Sequence, residues 1–244
     1  IETIAGKSGL AKKFRNEWSI YVVPLMNPDG VDGGNWRHNS GGIDLNRDWS
    51  VFNQPENKTV SDLLKRREIE TQLWKDFGAV KAVFILDLSG FSLLTQKYGI
   101  VHYLSMVRRM QLISTPIIEK NGGEVVKYEA DNCFAMFDAP LAAVETAIAL
   151  NKAFEEINVY TMDEFDIRVA IGIDYGDVLL IGGPDYFGAT VNTASKLGED
   201  TARPGEILIT QGALAHIPAD AAIRSEAVQL SVSGILIEAA SIRY

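Results

Sequence analysis

Cysteine is almost missing from this chain. Cys133 is the only one in 244 residues, so no disulfide can form within one chain, and a reducing compartment, the cytoplasm, is expected. Long apolar runs are missing too: none reaches the roughly 20 residues that a membrane-spanning helix needs. The N-terminus lacks the charged-then-apolar pattern of a signal peptide. Basic residues form no block, and 23 Lys and Arg stand against 32 Asp and Glu, a net charge of −9. That balance argues against nucleic acid or an anionic membrane surface as partner. Repeats and low-complexity segments are absent. Ile1 rather than Met opens the chain, as expected of a piece cut from something longer. What is present is an ordinary composition, 47% hydrophobic and 23% charged. It suffices for a full core, in one large domain or a domain with an appendage.

The organising stretch is residues 81–138. Ala82-Val83-Phe84-Ile85-Leu86 is a short, β-rich apolar run that ends in Asp87-Leu88-Ser89-Gly90-Phe91. It reads as a buried strand with an acid at its C-terminal end. Glu124 to Phe137 reads as two short strands folded about Ala130-Asp131-Asn132, since Asp and Asn tolerate the angles of a tight turn. Taken singly, Asp87 reads as a helix cap and Asp131 as a turn residue. Two acids on adjacent strands would instead make a hard-oxygen site for Mg²⁺ or Mn²⁺.

Three stretches together resemble the class III nucleotide cyclases. Phe84-Ile85-Leu86-Asp87-Leu88-Ser89-Gly90-Phe91-Ser92 is similar to that family's first-strand signature. Lys127-Tyr128-Glu129-Ala130-Asp131 resembles its Lys-x-x-Gly-Asp hairpin. Asp185 to Leu197, with Gly188, Val191, Asn192, Ala194 and Lys196, resembles its Asp-x-x-Gly-x-x-Val-Asn-x-Ala-x-Arg-Leu segment. Any one motif is weak; the three in order are specific.

The resemblance implies an adenylyl cyclase that makes cyclic AMP from ATP. It implies two divalent ions, Mg²⁺ or Mn²⁺, on Asp87, Asp131 and the Leu88 carbonyl. The backbone at Gly90 and Phe91, where the strand enters a helix, would cradle the triphosphate. Lys127 and Asp185 match the pair that reads adenine in adenylyl members, whereas guanylyl members carry Glu and Cys there. Asn192 would orient the ribose, and Lys196 would stabilise charge on the reacting phosphate. Their spacing of four puts both on one face of a short helix. The family usually has Arg at the latter place, and Lys offers a point charge in place of a fork. The family also implies a homodimer with composite sites. Two readings compete: a nucleotide-binding homologue with weak turnover, and a guanylyl cyclase.

Residues 1–60 read differently. Val23-Pro24-Leu25-Met26-Asn27-Pro28-Asp29-Gly30, then Arg37, then Gly42-Ile43-Asp44-Leu45-Asn46-Arg47-Asp48-Trp49, resemble the middle of the zinc carboxypeptidases. In that family the residues matching Arg37, Asn46 and Arg47 hold substrate carboxylates. The family's His-x-x-Glu pair is missing, with no His before Asn27. Without ligands there is no zinc and no polarised water. An inactive fragment is expected over 1–60, a linker helix over 61–78 and the cyclase-like domain over 79–244.

Within that domain the periodicity predicts a helix with Val101, Leu104 and Val107 on one face, interrupted or kinked at Pro116. A second helix opens at Pro140. Ile167, Val169, Ile171 and Ile173 alternate as a strand, and Tyr175-Gly176-Asp177 reads as a turn into another. The order β-α-β-β-α-β with extra strands predicts an α+β, ferredoxin-like plan: an antiparallel sheet with helices on one face. The other face, with the Ile167-to-Ile173 set, Val125, Phe134 and Met136, is expected to seek a partner.

Overall fold

The computed structural model describes residues 55–181, 185–232 and 235–244. The carboxypeptidase-like features up to Trp49, the Gly182–Pro184 break and the Ser233-Gly234 hairpin tip lie outside those residues. The chain divides into two compact units, residues 1–71 and 72–244. Helix α1 (Pro55–Phe77) begins in the first and ends in the second.

The second unit follows the predicted order. Strand β1 (Gly78–Leu88) leads to α2 (Phe91–Tyr98) and α3 (Ile100–Lys120), then to the hairpin β2 (Glu124–Glu129) and β3 (Asn132–Phe137). Helix α4 (Pro140–Asn158) precedes β4 (Val169–Leu179), and α5 (Ala189–Gly198) precedes β5 (Ile207–Thr210). A one-turn α6 (Gln211–Leu214) and the ribbon β6 (Arg224–Val232) and β7 (Ile235–Arg243) complete the unit. The seven strands lie in the order β2-β3-β1-β4-β5-β7-β6. The first four make the ferredoxin-like core. All neighbours are antiparallel except β4 and β5, which run parallel through Ile171–Ile207 to Ile173–Ile209.

Alternation along β1 separates two cores. Ala82, Phe84, Leu86 and Leu88 face α3 and α4, where they meet Met106, Met110, Leu150 and Phe154. Val83 and Ile85 face the opposite side, with Val178, Tyr186 and Ala194. The two long helices thus share one face, while the short α5 crosses the other. Pro116 is carried inside α3 without ending it.

Three local expectations change. Of Val101, Leu104 and Val107 only Val107 is buried, because α3 turns Tyr103, Met106, Met110 and Ile118 to the core instead. Tyr175-Gly176-Asp177 does not turn the chain: β4 runs straight through it, paired with β1 over eleven residues from Leu88–Val169 to Gly78–Leu179. And Ile167, Val169, Ile171 and Ile173 lie in the core under α3 and α4, with Val125 packed against that core. Among the apolar residues left half-buried on the other face are Val126, Phe134 and Met136. No helix among the described residues is long and apolar enough to cross a membrane.

Candidate active site

The end of β1 is where the first acids meet. Asp87 pairs with Asn132 across to β3 and with Ala170 across to β4. The Leu88 amide donates to the Asp131 carbonyl at 3.2 Å, which fixes the β2–β3 turn against the end of β1. That turn is two residues long, and Ala130 takes a φ of 51° in it. The Asp87 carboxyl is pushed up to about 7, first by burial and then by the charges of Asp131 and Glu199. Asp131 is raised too, by burial, against its own backbone hydrogen bond. Glu199, at the end of α5, is raised by partial loss of solvent, opposed by a Ser195 hydrogen bond and reinforced by the charges of Asp200, Glu129 and Asp131.

Crowded carboxyls without a countercharge define what the site can hold. Among the described residues no three His, Cys, Asp or Glu side chains form a metal cluster. The donors on offer are two carboxylates and backbone carbonyls, all hard oxygen, the set that Mg²⁺ and Mn²⁺ prefer. Burial raises Asp87 first and the charges of Asp131 and Glu199 add to it; a divalent cation would offset both. The residues therefore fit such an ion.

Beyond Leu88 the backbone enters α2. Gly90 is its N-cap, with φ 81° and no side-chain cap, so the first amides of α2 have no partner within the helix. Of Phe91 only the backbone position is described: it opens α2. The Ser89 amide, just before this point, donates to the Arg168 carbonyl at 2.9 Å.

Lys127 and Asp185, 58 residues apart in sequence, are brought together at 3.3 Å. Lys127 also meets Glu129, two residues on along the same strand face, at 3.0 Å, and lies 5.0 Å over the Phe134 ring. Its pKa is raised first by Glu129 and then by Asp185, with some loss of solvent opposing. The loop that carries Asp185 is pinned on both sides. Leu179 and Phe187 exchange two backbone hydrogen bonds, and the buried Tyr186 hydroxyl reaches the Ala135 carbonyl at 3.3 Å. Asp185 in turn accepts from the Tyr186 amide.

Helix α5 places the third group. Gly188 caps it at φ 149°, and Thr190 donates to the Asp177 carbonyl at 3.0 Å. Gly172 on β4 lets it lie close: a Cβ there would come within 2.2 Å of the Ala194 carbonyl oxygen. On its outer side Asn192 and Lys196 line a cleft of about 440 Å³, together with Glu199, Asp200 and Ile237. Three pairs from the sequence are thus assembled: Asp87 with Asp131, Lys127 with Asp185, and Asn192 with Lys196. Glu129, Asn132, Tyr186 and Glu199 join them without a sequence signal of their own, except that Glu129 shares its strand face with Lys127 by the two-residue period.

The chain belongs to the family of adenylate and guanylate cyclase catalytic domains, whose model matches residues 74–233, and the model of the zinc carboxypeptidase family matches residues 3–132. The two matches overlap over 74–132, and the described part of that overlap forms β1, α2, α3 and β2 of the cyclase-like sheet. An adenylate cyclase of Streptomyces coelicolor is 31% identical over 116 residues, 48% of this chain and 29% of the relative. Cytosolic carboxypeptidase 1 of Xenopus laevis is 38% identical over 60 residues, 25% of this chain and 5% of the relative. The crystal structure of the adenylyl cyclase CyaB from P. aeruginosa matches the fold with a TM-score of 0.59 at 22% identity, over 68% of this chain and 96% of that one. The chain covers 22% to 30% of the length of the first curated relatives it matches along the cyclase-like part.

Proposed function

We propose that the domain over residues 79–244 is an adenylyl cyclase that converts ATP to 3′,5′-cyclic AMP and pyrophosphate. The observation that carries this reading is the meeting of Asp87 with Asp131 at the end of β1, where burial raises both carboxyls and the charge of Asp131 raises Asp87 further, a pair that a cation would neutralise. Two divalent ions, Mg²⁺ or Mn²⁺, held by Asp87, Asp131 and the Leu88 carbonyl would supply acidification of the ribose 3′-hydroxyl and countercharge for the polyphosphate. The 3′-oxygen forms its bond to the α-phosphorus, the bond from that phosphorus to the β-phosphate oxygen breaks, and the hydroxyl proton leaves to water. The backbone amides at Gly90 and Phe91, at the uncapped start of α2, hold phosphate oxygens. Lys127 donates to a ring nitrogen of adenine and Asp185 accepts from its exocyclic amine, a polarity that guanine reverses. Asn192 orients the ribose, and Lys196 sets a point charge against the reacting phosphate.

The active unit in this reading is a homodimer, with Asp87 and Asp131 of one chain facing Lys127, Asp185, Asn192 and Lys196 of the other. Two features support it. Val126, Phe134 and Met136 are left half-buried on the sheet face away from the long helices. And the acids sense Glu199 at the end of α5, while Asn192 lies seven residues back, about 10 Å along the helix axis. Residues 1–60 contribute no peptidase activity, and the linker helix expected over 61–78 is α1, which runs from Pro55 to Phe77 with Gly78 already in β1.

The test is product formation by the full chain from ATP and from GTP with Mn²⁺. Cyclic AMP should form and cyclic GMP barely. Asp87→Asn and Asp131→Asn should each remain folded and lose about a thousandfold in rate, since several kcal/mol of transition-state stabilisation go with the cations. Lys127→Glu with Asp185→Cys should abolish the preference for ATP. Near-normal turnover in either Asn variant would overturn the assignment. ATP binding without turnover in the unaltered chain would establish the binding homologue, and equal use of GTP the guanylyl reading.

A further inference from the structure

One buried acceptor beside the acids has nothing to accept from. The side-chain oxygen Oδ1 of Asn132 is shielded from solvent and has no hydrogen-bond partner. Asn132 is the first residue of β3, directly after Asp131, and it stands opposite Asp87 in the β1–β3 register. Directly opposed residues on antiparallel strands point to the same face, with Cβ atoms roughly 4.5–5.5 Å apart. Asn132 therefore shares its face with Asp87 and, two and four residues on, with Phe134 and Met136.

An orphaned buried acceptor is costly, and a strand position normally avoids Asn in favour of β-branched or apolar residues. Leu or Val here would fill the space at no such cost. No donor among the described residues reaches the oxygen. Asp87 and Asp131, once ionised as cation ligands, offer only acceptors, and Phe134 and Met136 offer no side-chain donor. A donor from outside the chain would satisfy it. A hydrated Mg²⁺ or Mn²⁺ brings one, because these ions keep several waters when bound by one or two carboxylates, and a cation-bound water is a strong donor. An amide oxygen also adds no charge, so it extends the donor set without adding to the repulsion between the acids.

We propose that Asn132 is a positioning residue of the cation site, its side-chain carbonyl accepting from the water shell of the ion that Asp87 and Asp131 hold. This rests on the reading of those two acids as the cation-binding pair. The test is Mn²⁺ binding to the full chain without nucleotide, followed by the paramagnetic resonance signal of free Mn²⁺, alongside thermal melting of the metal-free protein. Asn132→Leu should melt no lower than the unaltered chain, because an unsatisfied buried acceptor has been removed. It should bind Mn²⁺ about 10–100-fold more weakly, the usual cost of losing a group that supports a metal ligand set. Asn132→Asp, which keeps an acceptor at the same place, should stay within a few fold of the unaltered chain. If Asn132→Leu lowers the melting temperature, Asn132→Ala, which adds no bulk, is judged by the same criterion. Mn²⁺ binding that is lost in Asp87→Asn but unchanged in the Asn132 variants overturns this inference alone. An unaltered chain that binds Mn²⁺ no better than Asp87→Asn overturns the cation site itself and the inference with it.

Discussion

Ala130 occupies a position built for glycine. It is the one non-glycine among the described residues with positive φ, at the place where the resembling cyclase hairpin has Gly. A left-handed conformation costs an L-residue roughly 1–2 kcal/mol, while glycine costs about 0.4–1 kcal/mol through the freer unfolded chain. Ala130→Gly should therefore stabilise by about 0.5–1 kcal/mol, read as a melting temperature about 1–4 °C higher. A lower melting temperature would show that the turn is not strained. Asp174 is a second residue whose cost is visible. Burial raises its pKa, against hydrogen bonds from Thr210 Oγ1 at 2.6 Å and the Tyr175 amide at 2.8 Å. The folded state then holds the proton more tightly than the unfolded state. Stability associated with Asp174 must fall as pH rises from the ordinary aspartate value through the raised one. Asn at this place can accept both hydrogen bonds without a charge. Asp174→Asn should melt higher at pH 7, with the advantage vanishing on acidification below about pH 4. A pH-independent difference would mean that charge is not the cause. The Asp174 effect was hidden in the sequence because Thr210 comes from another strand, whereas the departure at Ala130 could be read from the hairpin motif.

Helix α5 shows what an element needs beyond its own pattern. Its motif was legible, from Gly188 through Asn192 to Lys196, because those residues match the resembling family's segment at fixed spacing. Its seat was not. Gly172 and Gly198 meet face to face: a Cβ on Gly172 would lie 2.4 Å from the Gly198 amide nitrogen, and one on Gly198 would lie 3.0 Å from the Ile85 carbonyl. Within strand β4, Gly172 looked like one more small residue in an alternating run. Gly176 misled in the same way. It suggested a turn, yet a Cβ there would sit 2.9 Å from Thr190 Oγ1, so its smallness makes room for the start of α5 while pairing with β1 keeps the strand straight. Gly172→Ala should destabilise the domain by about 1–3 kcal/mol through overpacking against backbone. It should also displace Asn192 and Lys196, so that turnover falls more than ATP binding does. Unchanged melting and unchanged turnover would show that α5 does not depend on this contact.

At the scale of the molecule, the βαββαβ order of the first four strands, the two long helices on one face and the three motif pairs followed from periodicity and family resemblance. The face that should meet a partner was only half legible. The Ile167-to-Ile173 set has the right alternation for a strand, but alternation does not say which side is up. Pairing with β1 turns that set under α3 and α4, leaving Val126, Phe134 and Met136 to the open side. The central claim is a cyclase whose sites are completed across two copies of the chain, and mixing two inactive variants tests it most directly. Asp87→Ala and Asn192→Ala each destroy a different half of the composite site. Random pairing makes about half the dimers mixed, each with one intact site, so cyclic AMP formation from ATP should return to roughly a quarter of that of the unaltered protein. A mixture as inactive as its separate components would contradict the account.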